Sequence, residues 1–383
     1  MKFFHTADWH LGKIVQGVHM TEDQRYILQQ FLEMVSNEKP DAVIIAGDLY
    51  DRAVPPTEAV HLLDETLEHI VMQLNIPVLA IAGNHDSPSR MDFGSKLMKS
   101  NGYHIVGQYT AHGSPVVLQD EFGEVHFHLV PYTDPSIVRH ALENEDIRTH
   151  NDAMRETVSH IKEHQSENAR HVFVGHAFVT PYGEKEQNTS ESERSLSIGG
   201  AEYVDAHILE AFDYVALGHL HQAHFVLHKH IQYSGSILKY SKSEAKHKKG
   251  FYIVEMDADG SCSVEKRLLK PLRDIRIVEA TIDDILTHDK NQDYVFVRLL
   301  DEAPVLSPME RIRTVYPNAL HVERKNDLMV NIDETEEQRE QRSKMSDGDL
   351  FQSFYKEVKG KEPNSETEAL FKEVMSELLQ KDS

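Results

Sequence analysis

Five times along this chain, a short run of apolar and β-branched residues ends in a cluster of aspartate, asparagine or histidine. In chain order the clusters are Asp8-x-His10, Gly47-Asp48-x-x-Asp51, Gly83-Asn84-His85-Asp86, Gly175-His176 and Gly218-His219-x-His221. Apolar runs without alternation are typical of parallel strands that are buried on both faces. Because ligand sites of α/β sheets lie at the carboxyl ends of such strands, we expect the five clusters to meet at one edge.

The first part of the chain alternates between strand and helix patterns. Strands are predicted at 2–5, 41–46 and 77–81, with helices over 21–35 and 57–74 between them. This alternation predicts a layered α/β fold with parallel strands. A hairpin-like pattern follows over 104–132. Antiparallel strands are then predicted at 224–227, 231–234, 251–255 and 263–269, and we expect them to form a second sheet packed on the first.

The pattern changes after Pro271, and the chain divides into four predicted parts. These are a first domain over 1–270, a small α+β domain over 275–332, an acidic linker over 333–346 and a helical tail over 347–383. The tail contains two amphipathic helices separated by Pro363. An apolar stripe on a tethered helix favours docking onto a partner over folding back onto the same chain.

The clusters supply carboxylate, amide and imidazole groups, which are suitable ligands for two divalent metal ions. A carboxylate can bridge two ions, so Asp48, the central acidic residue, is the predicted bridge. His219 and His221 would point to opposite sides of an extended backbone, and their spacing leaves open whether a turn redirects one of them. His85 is expected to face away from Asn84, which suits a general acid or transition-state donor.

The neighbours of His85 include two aspartates, and Asp51 or Asp86 could orient its imidazole. The alternative for all these residues is a purely structural role, because a chain with 25 histidines contains isolated Gly-His pairs by chance. Five such clusters occur in order, and each follows a predicted strand. So many matching residues would not arise by chance. The sequence therefore predicts a metal-dependent catalytic site.

Composition limits the partners of the chain. Forty basic and sixty-three acidic side chains give a net charge of −23, so a broad nucleic-acid-binding surface is not expected. Bound cations and a local basic strip can still reverse the charge inside a cleft. The single cysteine, Cys262, excludes an intramolecular disulfide. No apolar segment has the length of a membrane span, and no signal region precedes the first cluster, so we expect a cytoplasmic protein.

The five clusters resemble those of the calcineurin-like metallophosphoesterases over residues 1 to about 235. Within that superfamily, His5-Thr-Ala-Asp-Trp-His-Leu-Gly12, Ala46-Gly-Asp-Leu-Tyr-Asp51 and Leu217-Gly-His-Leu-His-Gln222 are similar to the SbcD family of bacterial nuclease subunits. The resemblance implies a sandwich of two mixed β-sheets flanked by helices, with 275–332 as a capping domain. It also implies one metal on Asp8, His10, Asp48 and His221, and another on Asp48, Asn84, His176 and His219, with manganese as the usual ion and His85 as the catalytic residue.

The same resemblance implies a function in DNA replication, recombination and repair. Members of the family cleave DNA as 3′→5′ double-strand exonucleases and single-strand endonucleases, through water activated by the two metals. They act with an SbcC-type coiled-coil ATPase, which the helices over 347–383 would bind, and as a homodimer within a heterotetramer. The alternatives are a small-molecule phosphodiesterase or protein phosphatase of the same superfamily, and a non-catalytic scaffold that retains the fold.

Two features bear on phosphate binding. Arg52 follows Asp51 and either contacts a DNA phosphate or lies on the surface without a role. The dense basic stretch from Lys239 to Lys249 is either a DNA-contacting strip or a solvated turn. Further candidates for phosphate contacts are Lys13, Lys185 and Arg194.

Overall fold

The fold is described from a computed structural model of the chain. The structure describes residues 1–111, 113–182, 202–324, 347–359, 362–365, 367–371 and 374. The strands are β1 (Lys2–Thr6), β2 (Ile14–Val15), β3 (Val18–His19), β4 (Ala42–Ala46), β5 (Val78–Ile81), β6 (Tyr103–Val106), β7 (Val116–Asp120), β8 (Gly123–Val130), β9 (Arg170–His176), β10 (Phe178–Thr180), β11 (Tyr203–Asp205), β12 (Tyr214–Gly218), β13 (His224–Val226), β14 (His228–Tyr233), β15 (Gly250–Met256), β16 (Cys262–Leu268), β17 (Ile275–Ala280), β18 (Tyr294–Leu299) and β19 (Ala319–Arg324).

The α-helices are α1 (Thr21–Glu38), α2 (Thr57–Glu68), α3 (Pro88–Asp92), α4 (Ser95–Met98), α5 (Pro135–Ala141), α6 (His150–Glu163), α7 (Ile282–Leu286), α8 (Pro308–Arg313) and α9 (Asp347–Lys359). The helix predicted over 57–74 ends as an α-helix at Glu68 and continues as a π-helical turn over His69–Gln73. Thr149 caps α6 through a capping box with Asp152, which explains where that helix begins.

Two six-stranded sheets form the main body. The first has the order β16-β15-β1-β4-β5-β6, and the second has the order β13-β14-β12-β9-β8-β7. The inner faces of the sheets pack against each other through Phe3 of β1, whose ring makes edge contacts with Phe127 and Tyr214. The outer face of the first sheet is covered by apolar side chains of α1 and α2, including Phe31 and Leu62. Both faces of the central strands are therefore buried, which explains their continuous apolar sequences.

The prediction that residues 251–255 and 263–269 belong to the second sheet is wrong. β15 pairs antiparallel with β1, and β16 extends the same edge of the first sheet. The hairpin predicted over 104–132 is also only partly correct, because β6 pairs parallel with β5 in the first sheet. Only β7 and β8 form a hairpin there, at the edge of the second sheet. An antiparallel edge strand next to a parallel core is common in mixed sheets, and the local sequence does not distinguish the two sheets.

The residues after Pro271 form a separate three-stranded parallel sheet, β17-β18-β19, with α7 and α8 packed on it. Its core includes the fully buried side chains of Ile285 and Ile312. This unit contacts the main body, since the hydroxyl of Tyr294 donates to Asp23 over 2.8 Å and Lys239 pairs with Asp274 at 2.9 Å.

In the helical tail, the ring of Phe351 in α9 stacks on that of Phe371. The predicted linker over 333–346 and most of the second tail helix lie outside the described residues, as do Lys185 and Arg194. Among the helices that the structure describes, none has both the length and the apolar character needed to cross a membrane.

Candidate metal centre

The five clusters lie together, at the carboxyl ends of β1, β4, β5, β9 and β12. Parallel pairing brings β1, β4 and β5 to one edge of the first sheet, and β9 and β12 to the facing edge of the second. The side chains of Asp8, His10, Asp48, His176 and His221 are buried there. Because the two sheets face each other, loops that are far apart in sequence meet at this edge.

One group of ligand atoms consists of Asp8, His10 and His221. The Nε2 atoms of His10 and His221 are 3.0 Å apart, although the residues are 211 positions apart in the chain. His221 donates its Nδ1–H to Glu244, at 3.2 Å. The neutral ring of His221 therefore has its lone pair on Nε2, the atom that faces His10.

A second group surrounds Asn84, whose Oδ1 lies 2.9 Å from His176 Nε2 and 3.3 Å from His219 Nδ1. His176 donates its Nδ1–H to the carbonyl oxygen of Ala46 at 2.9 Å. That bond again leaves the lone pair of the neutral ring on Nε2, the nitrogen that faces the other candidate ligand atoms.

Asp48 lies between the two groups. Its Oδ2 is 3.6 Å from His10 Nε2 and 3.5 Å from His176 Nε2. One carboxylate oxygen thus faces an imidazole of each group, which is the placement expected of a bridging ligand. Asp8 is also near both groups, because one of its oxygens clusters with Asp48 and His176 as well.

Four of these residues have left-handed backbone conformations. The φ angles are 52° at Asp8, 45° at His10, 51° at Asp48 and 108° at His219. Non-glycine residues rarely adopt such angles, and they concentrate at functional sites where the surrounding fold enforces them. At His219 the unusual φ supplies the turn that the sequence left open, so His219 and His221 do not alternate as they would on a straight strand.

The glycines before the candidate ligands allow close packing of these turns. A Cβ on Gly83 would lie 2.2 Å from Oδ1 of Asp48, and a Cβ on Gly218 would lie 1.9 Å from the carbonyl oxygen of Ala46. Both distances are far inside van der Waals contact, so no other residue fits at either position without displacing the cluster. The glycines hold the loops of the two sheets close enough for their side chains to converge.

Burial keeps the imidazoles neutral. The pKa values of His10 and His219 are lowered well below the usual range, mainly by burial and then by neighbouring histidines. Burial also lowers the pKa of His176, although Asp48 opposes this effect. Neutral imidazoles are the form that binds metal ions. The Nδ1 atom of His10 is buried and has no hydrogen-bond partner among the residues that the structure describes, a costly arrangement that is consistent with a site built around an additional group.

His85 is also buried in this cluster, with its ring 4.6 Å from that of His10 between centroids. Its Nδ1–H donates to the backbone carbonyl of Asp51 at 2.8 Å. Of the two residues predicted to orient this ring, Asp51 therefore contacts it, through its backbone carbonyl rather than its carboxylate. The carboxylate of Asp51 instead pairs with Lys13 at 2.8 Å.

Asp86 has a structural function. Its carboxylate accepts backbone N–H groups from Leu49, Tyr50 and Gly83, at 3.1, 2.9 and 2.9 Å. These bonds join the loop after β4 to the loop after β5. Burial, and then the charge of Asp48, raise the pKa of Asp86 to about 7.

Arg52 is 47% exposed, and its guanidinium is 3.9 Å from the carboxylate of Asp51. At this edge of the cluster its long side chain can reach a phosphate in solvent. A contact with substrate phosphate therefore stays a prediction.

Sequence reasoning missed Glu244, which lies within the basic stretch over 239–249. Its fully buried carboxylate accepts from His221 and pairs with the ammonium of Lys249 at 2.5 Å. Lys249 also donates to the backbone carbonyl of His221 at 2.8 Å. The assignment of Lys249 to DNA contact is therefore wrong, and Lys239 is likewise held internally by Asp274. A lone glutamate among lysines was the only signal in the sequence, and it does not reveal burial.

Comparison with known families identifies the chain. The model for calcineurin-like phosphoesterases matches residues 1–223, and the model for the type 5 capsule protein repressor C-terminal domain matches residues 271–359. The D subunit of the nuclease SbcCD from Staphylococcus epidermidis is 38% identical over 324 residues, which cover 84% of each chain. The chain belongs to the SbcD family of calcineurin-like phosphoesterases. The predicted family and its two-sheet fold are confirmed, and membership makes the protein a hydrolase that uses divalent metal ions.

Two solved structures show lower similarity. The protein TT1561 of Thermus thermophilus is 10% identical with a TM-score of 0.38, covering 69% of this chain and 98% of its own. A dimetal phosphatase from Danio rerio is 12% identical with a TM-score of 0.39, covering 70% and 96%. These identities and TM-scores are too low to support any conclusion about this SbcD family member.

Proposed function

We propose that this protein is a two-metal nuclease that cleaves DNA phosphodiester bonds. The observation that carries this proposal is the position of Asp48 Oδ2, within 3.6 Å of a histidine nitrogen from each ligand group. The relative that is 38% identical is named as a nuclease subunit, which supports a nucleic acid as the substrate class. The activity would comprise 3′→5′ exonuclease action on double strands and endonuclease action on single strands.

The residues present fit two divalent metals. Asp8, His10, Asp48 and His221 would hold one ion, and Asp48, Asn84, His176 and His219 would hold the other. The tautomers of His176 and His221, which are set by their bonds to Ala46 and Glu244, turn Nε2 toward the centre in both rings. Borderline nitrogen and hard oxygen donors in this mixture suit manganese.

When bound, the ions would generate a nucleophile from water at neutral pH and neutralise charge that develops on the phosphoryl oxygens. The contribution of His85 follows from its hydrogen bond. Because Nδ1–H donates to the carbonyl of Asp51, Nε2 is the atom left to face the substrate. As an imidazolium, His85 can donate the Nε2 proton to the leaving oxygen, and Asp51 fixes the ring for that transfer.

The remaining parts of the chain would bind partners. Residues 1–270 would form the catalytic domain, 275–332 the capping domain and 333–346 the linker. The helical tail over 347–383 would dock on an SbcC-type coiled-coil ATPase. Leu370 and Val374, which are 61% and 48% exposed, support an apolar docking face on that tail.

A homodimer is also proposed, through the segment that contains α3 and α4. Phe93, which directly follows α3, is 85% exposed, and Leu97 in α4 is 78% exposed. Large apolar side chains with so much exposure are typical of a surface that a second chain covers.

The decisive experiment compares three substrates with manganese present: an end-labelled DNA duplex, a nucleotide diester and a phosphopeptide. We expect cleavage of the duplex, and the direction of shortening reports the polarity. Cleavage of the diester or peptide alone would support the alternative enzymes of the superfamily. A protein that binds manganese and cleaves none of the three would support a scaffold.

The partner is tested separately by co-purification. The full chain should retain a large coiled-coil ATPase, and deletion of residues 347–383 should release it without loss of manganese-dependent cleavage of short DNA. Retention of the ATPase by the deleted chain would contradict docking through the tail.

A further inference from the structure

A cavity of about 390 Å³ lies where the main body joins the three-stranded unit after Pro271. It is formed by the segments over 237–239 and 245–249, the end of β16, and the connection over 269–275. None of the five clusters lines it. Its volume is within the range of pockets that hold small organic ligands.

The lining of the cavity is strongly basic. Its cationic or titratable basic residues are Lys239, Lys246, His247, Lys248, Lys249, Lys270 and Arg273, whereas Asp274 is the one acidic residue among the described residues that line it. This composition is the reverse of the whole chain, whose net charge is −23. A local concentration of cations on an acidic protein attracts anions to that place and away from the rest of the surface.

Some of these charges are already paired. Lys239 pairs with Asp274, Lys249 with Glu244, and Arg273 with Glu22 and Asp23. In the part of the chain that the structure describes, no carboxylate pairs with the ammonium groups of Lys246, Lys248 and Lys270. The positive charges also affect the neighbouring Lys266, whose pKa is lowered to about 8 by burial and then by Lys249 and Lys248. An anion in the cavity would reduce this repulsion.

The rest of the lining is apolar. It consists of Met20, Ile237, Leu238, Ala245, Leu268, Leu269, Pro271 and Ile275. Most of these side chains are buried, but Leu268 is 50% exposed at the edge of the cavity. A phosphate alone would leave these apolar side chains uncovered. A ligand with a planar ring next to a phosphate group would use both the basic and the apolar residues of the lining.

We propose that this cavity binds an organic phosphate of mononucleotide size, with its phosphate on Lys246, Lys248 and Lys270 and its ring against Leu268 and Leu269. The site is separate from the metal centre and adjacent to it. Lys249, which lines the cavity, also donates to the backbone of His221 and pairs with Glu244. A bound phosphate therefore lies next to the residues that orient a proposed metal ligand.

The test measures binding of AMP by isothermal titration calorimetry in EDTA, so that metal-dependent binding at the strand ends is removed. Adenosine and inorganic phosphate serve as the two half-ligands. We expect AMP to bind more tightly than either one. The double variant Lys246→Gln/Lys248→Gln should weaken AMP binding at least about tenfold, the factor that corresponds to one charge-assisted contact.

Lys229→Gln/Lys290→Gln is the matched control, because it removes the same charge from exposed lysines outside the cavity. It should leave the dissociation constant unchanged. Asp48→Asn should also bind AMP normally, and loss of binding in that variant would assign AMP to the metal centre and overturn the proposal. Equal weakening by both lysine pairs, or no AMP binding by the unmodified protein, would overturn it as well.

A 5′-phosphorylated duplex distinguishes a free nucleotide from a DNA phosphate. We expect AMP to keep its affinity in the presence of the duplex. If the duplex binds in a manner that requires Lys246 and Lys248 while AMP does not bind, the cavity is part of a DNA surface and the proposed ligand is wrong.

Discussion

The backbone N–H of His85 donates to Oδ1 of Asp48 over 2.8 Å. The other oxygen of the same carboxylate, Oδ2, lies between His10 and His176. One side chain therefore fixes the position of the proposed catalytic histidine and contributes to both proposed metal sites. This coupling makes the effects of single substitutions distinguishable.

Asp48→Asn should weaken both metal sites together. An amide oxygen can still accept from His85, but the neutral side chain is a poorer bridge between two cations. We expect manganese content, measured by inductively coupled plasma mass spectrometry after dialysis, to fall well below one ion per chain. Asn84→Ala is the comparison, because it removes a ligand of one group and should leave about one ion bound. Equal retention in the two variants would contradict the bridging role.

His85→Ala should retain both metals and lose cleavage. Removal of a positioned proton donor typically lowers the rate by about 10²–10⁴-fold. The backbone N–H that contacts Asp48 remains in the variant, so the metal sites should not change. Manganese stoichiometry and the rate of duplex cleavage are measured on the same preparation. Cleavage at the unmodified rate would remove His85 from the mechanism.

Glu244→Gln should weaken metal binding although Glu244 is not a proposed ligand. Burial alone would raise the pKa of Glu244, but Lys249 and His221 lower it well below its usual value. Loss of the charge removes the acceptor that orients His221, and such outer contacts typically contribute about 10–100-fold in metal affinity. The variant also leaves Lys249 buried without its partner charge, which costs about 3–5 kcal/mol of unfolding free energy.

The two effects of Glu244→Gln can be separated. Adding Lys249→Met removes the uncompensated cation and should recover much of the stability in urea unfolding, while metal affinity stays low. Glu265→Gln is the surface control, since Glu265 pairs with Arg267 in solvent and should have little effect on either quantity. Normal metal affinity in Glu244→Gln would show that His221 needs no orienting carboxylate.

The metal-free protein should become less stable as the pH falls below about 6.5. Burial lowers the pKa of His5 to about 3, and burial followed by His171 and His126 lowers that of His128 to about 3. The unfolded chain binds these protons at ordinary histidine pKa values, so protonation favours unfolding from about pH 6.5 down to about 3. Each such group contributes about 1.4 kcal/mol per pH unit in that range.

Urea unfolding in EDTA between pH 7.5 and pH 5 measures this slope, because unfolded carboxylates remain ionised there. His128→Gln should reduce the number of protons taken up on unfolding by about one. An unfolding free energy that does not change across this range would contradict the neutral, buried state of these histidines.

The parallel strands and the order of the clusters were predictable because burial on both faces leaves continuous apolar runs. The sheet to which β15 and β16 belong could not be predicted, because an antiparallel edge strand has the same local sequence pattern in either sheet. The convergence of Asp8, Asp48 and His176 followed from the rule on strand ends. The φ of 108° at His219 could not be predicted from that rule, since only the packed loops enforce this backbone angle.

The roles of neighbouring residues were harder to predict than the convergence of the proposed ligands. Asp51 supplies its backbone carbonyl to His85, and a backbone group carries no signature in the sequence. Glu244 and Lys249 lie in a lysine-rich segment that resembles a solvated turn, and only their tertiary contacts reveal a buried pair. Interactions that depend on which loops meet require the three-dimensional arrangement.

The double variant Phe93→Ser/Leu97→Ser should convert the proposed homodimer to a monomer. Both side chains are so exposed that their replacement costs the folded chain little, whereas a dimer interface would lose its apolar anchors. Light scattering coupled to size exclusion should give about twice 43.8 kDa for the unmodified chain and about 43.8 kDa for the variant. Leu306→Ser is the control, because Leu306 lies in the three-stranded unit after Pro271 and is 87% exposed. If the control and the double variant have the same mass, the segment with α3 and α4 is not the interface.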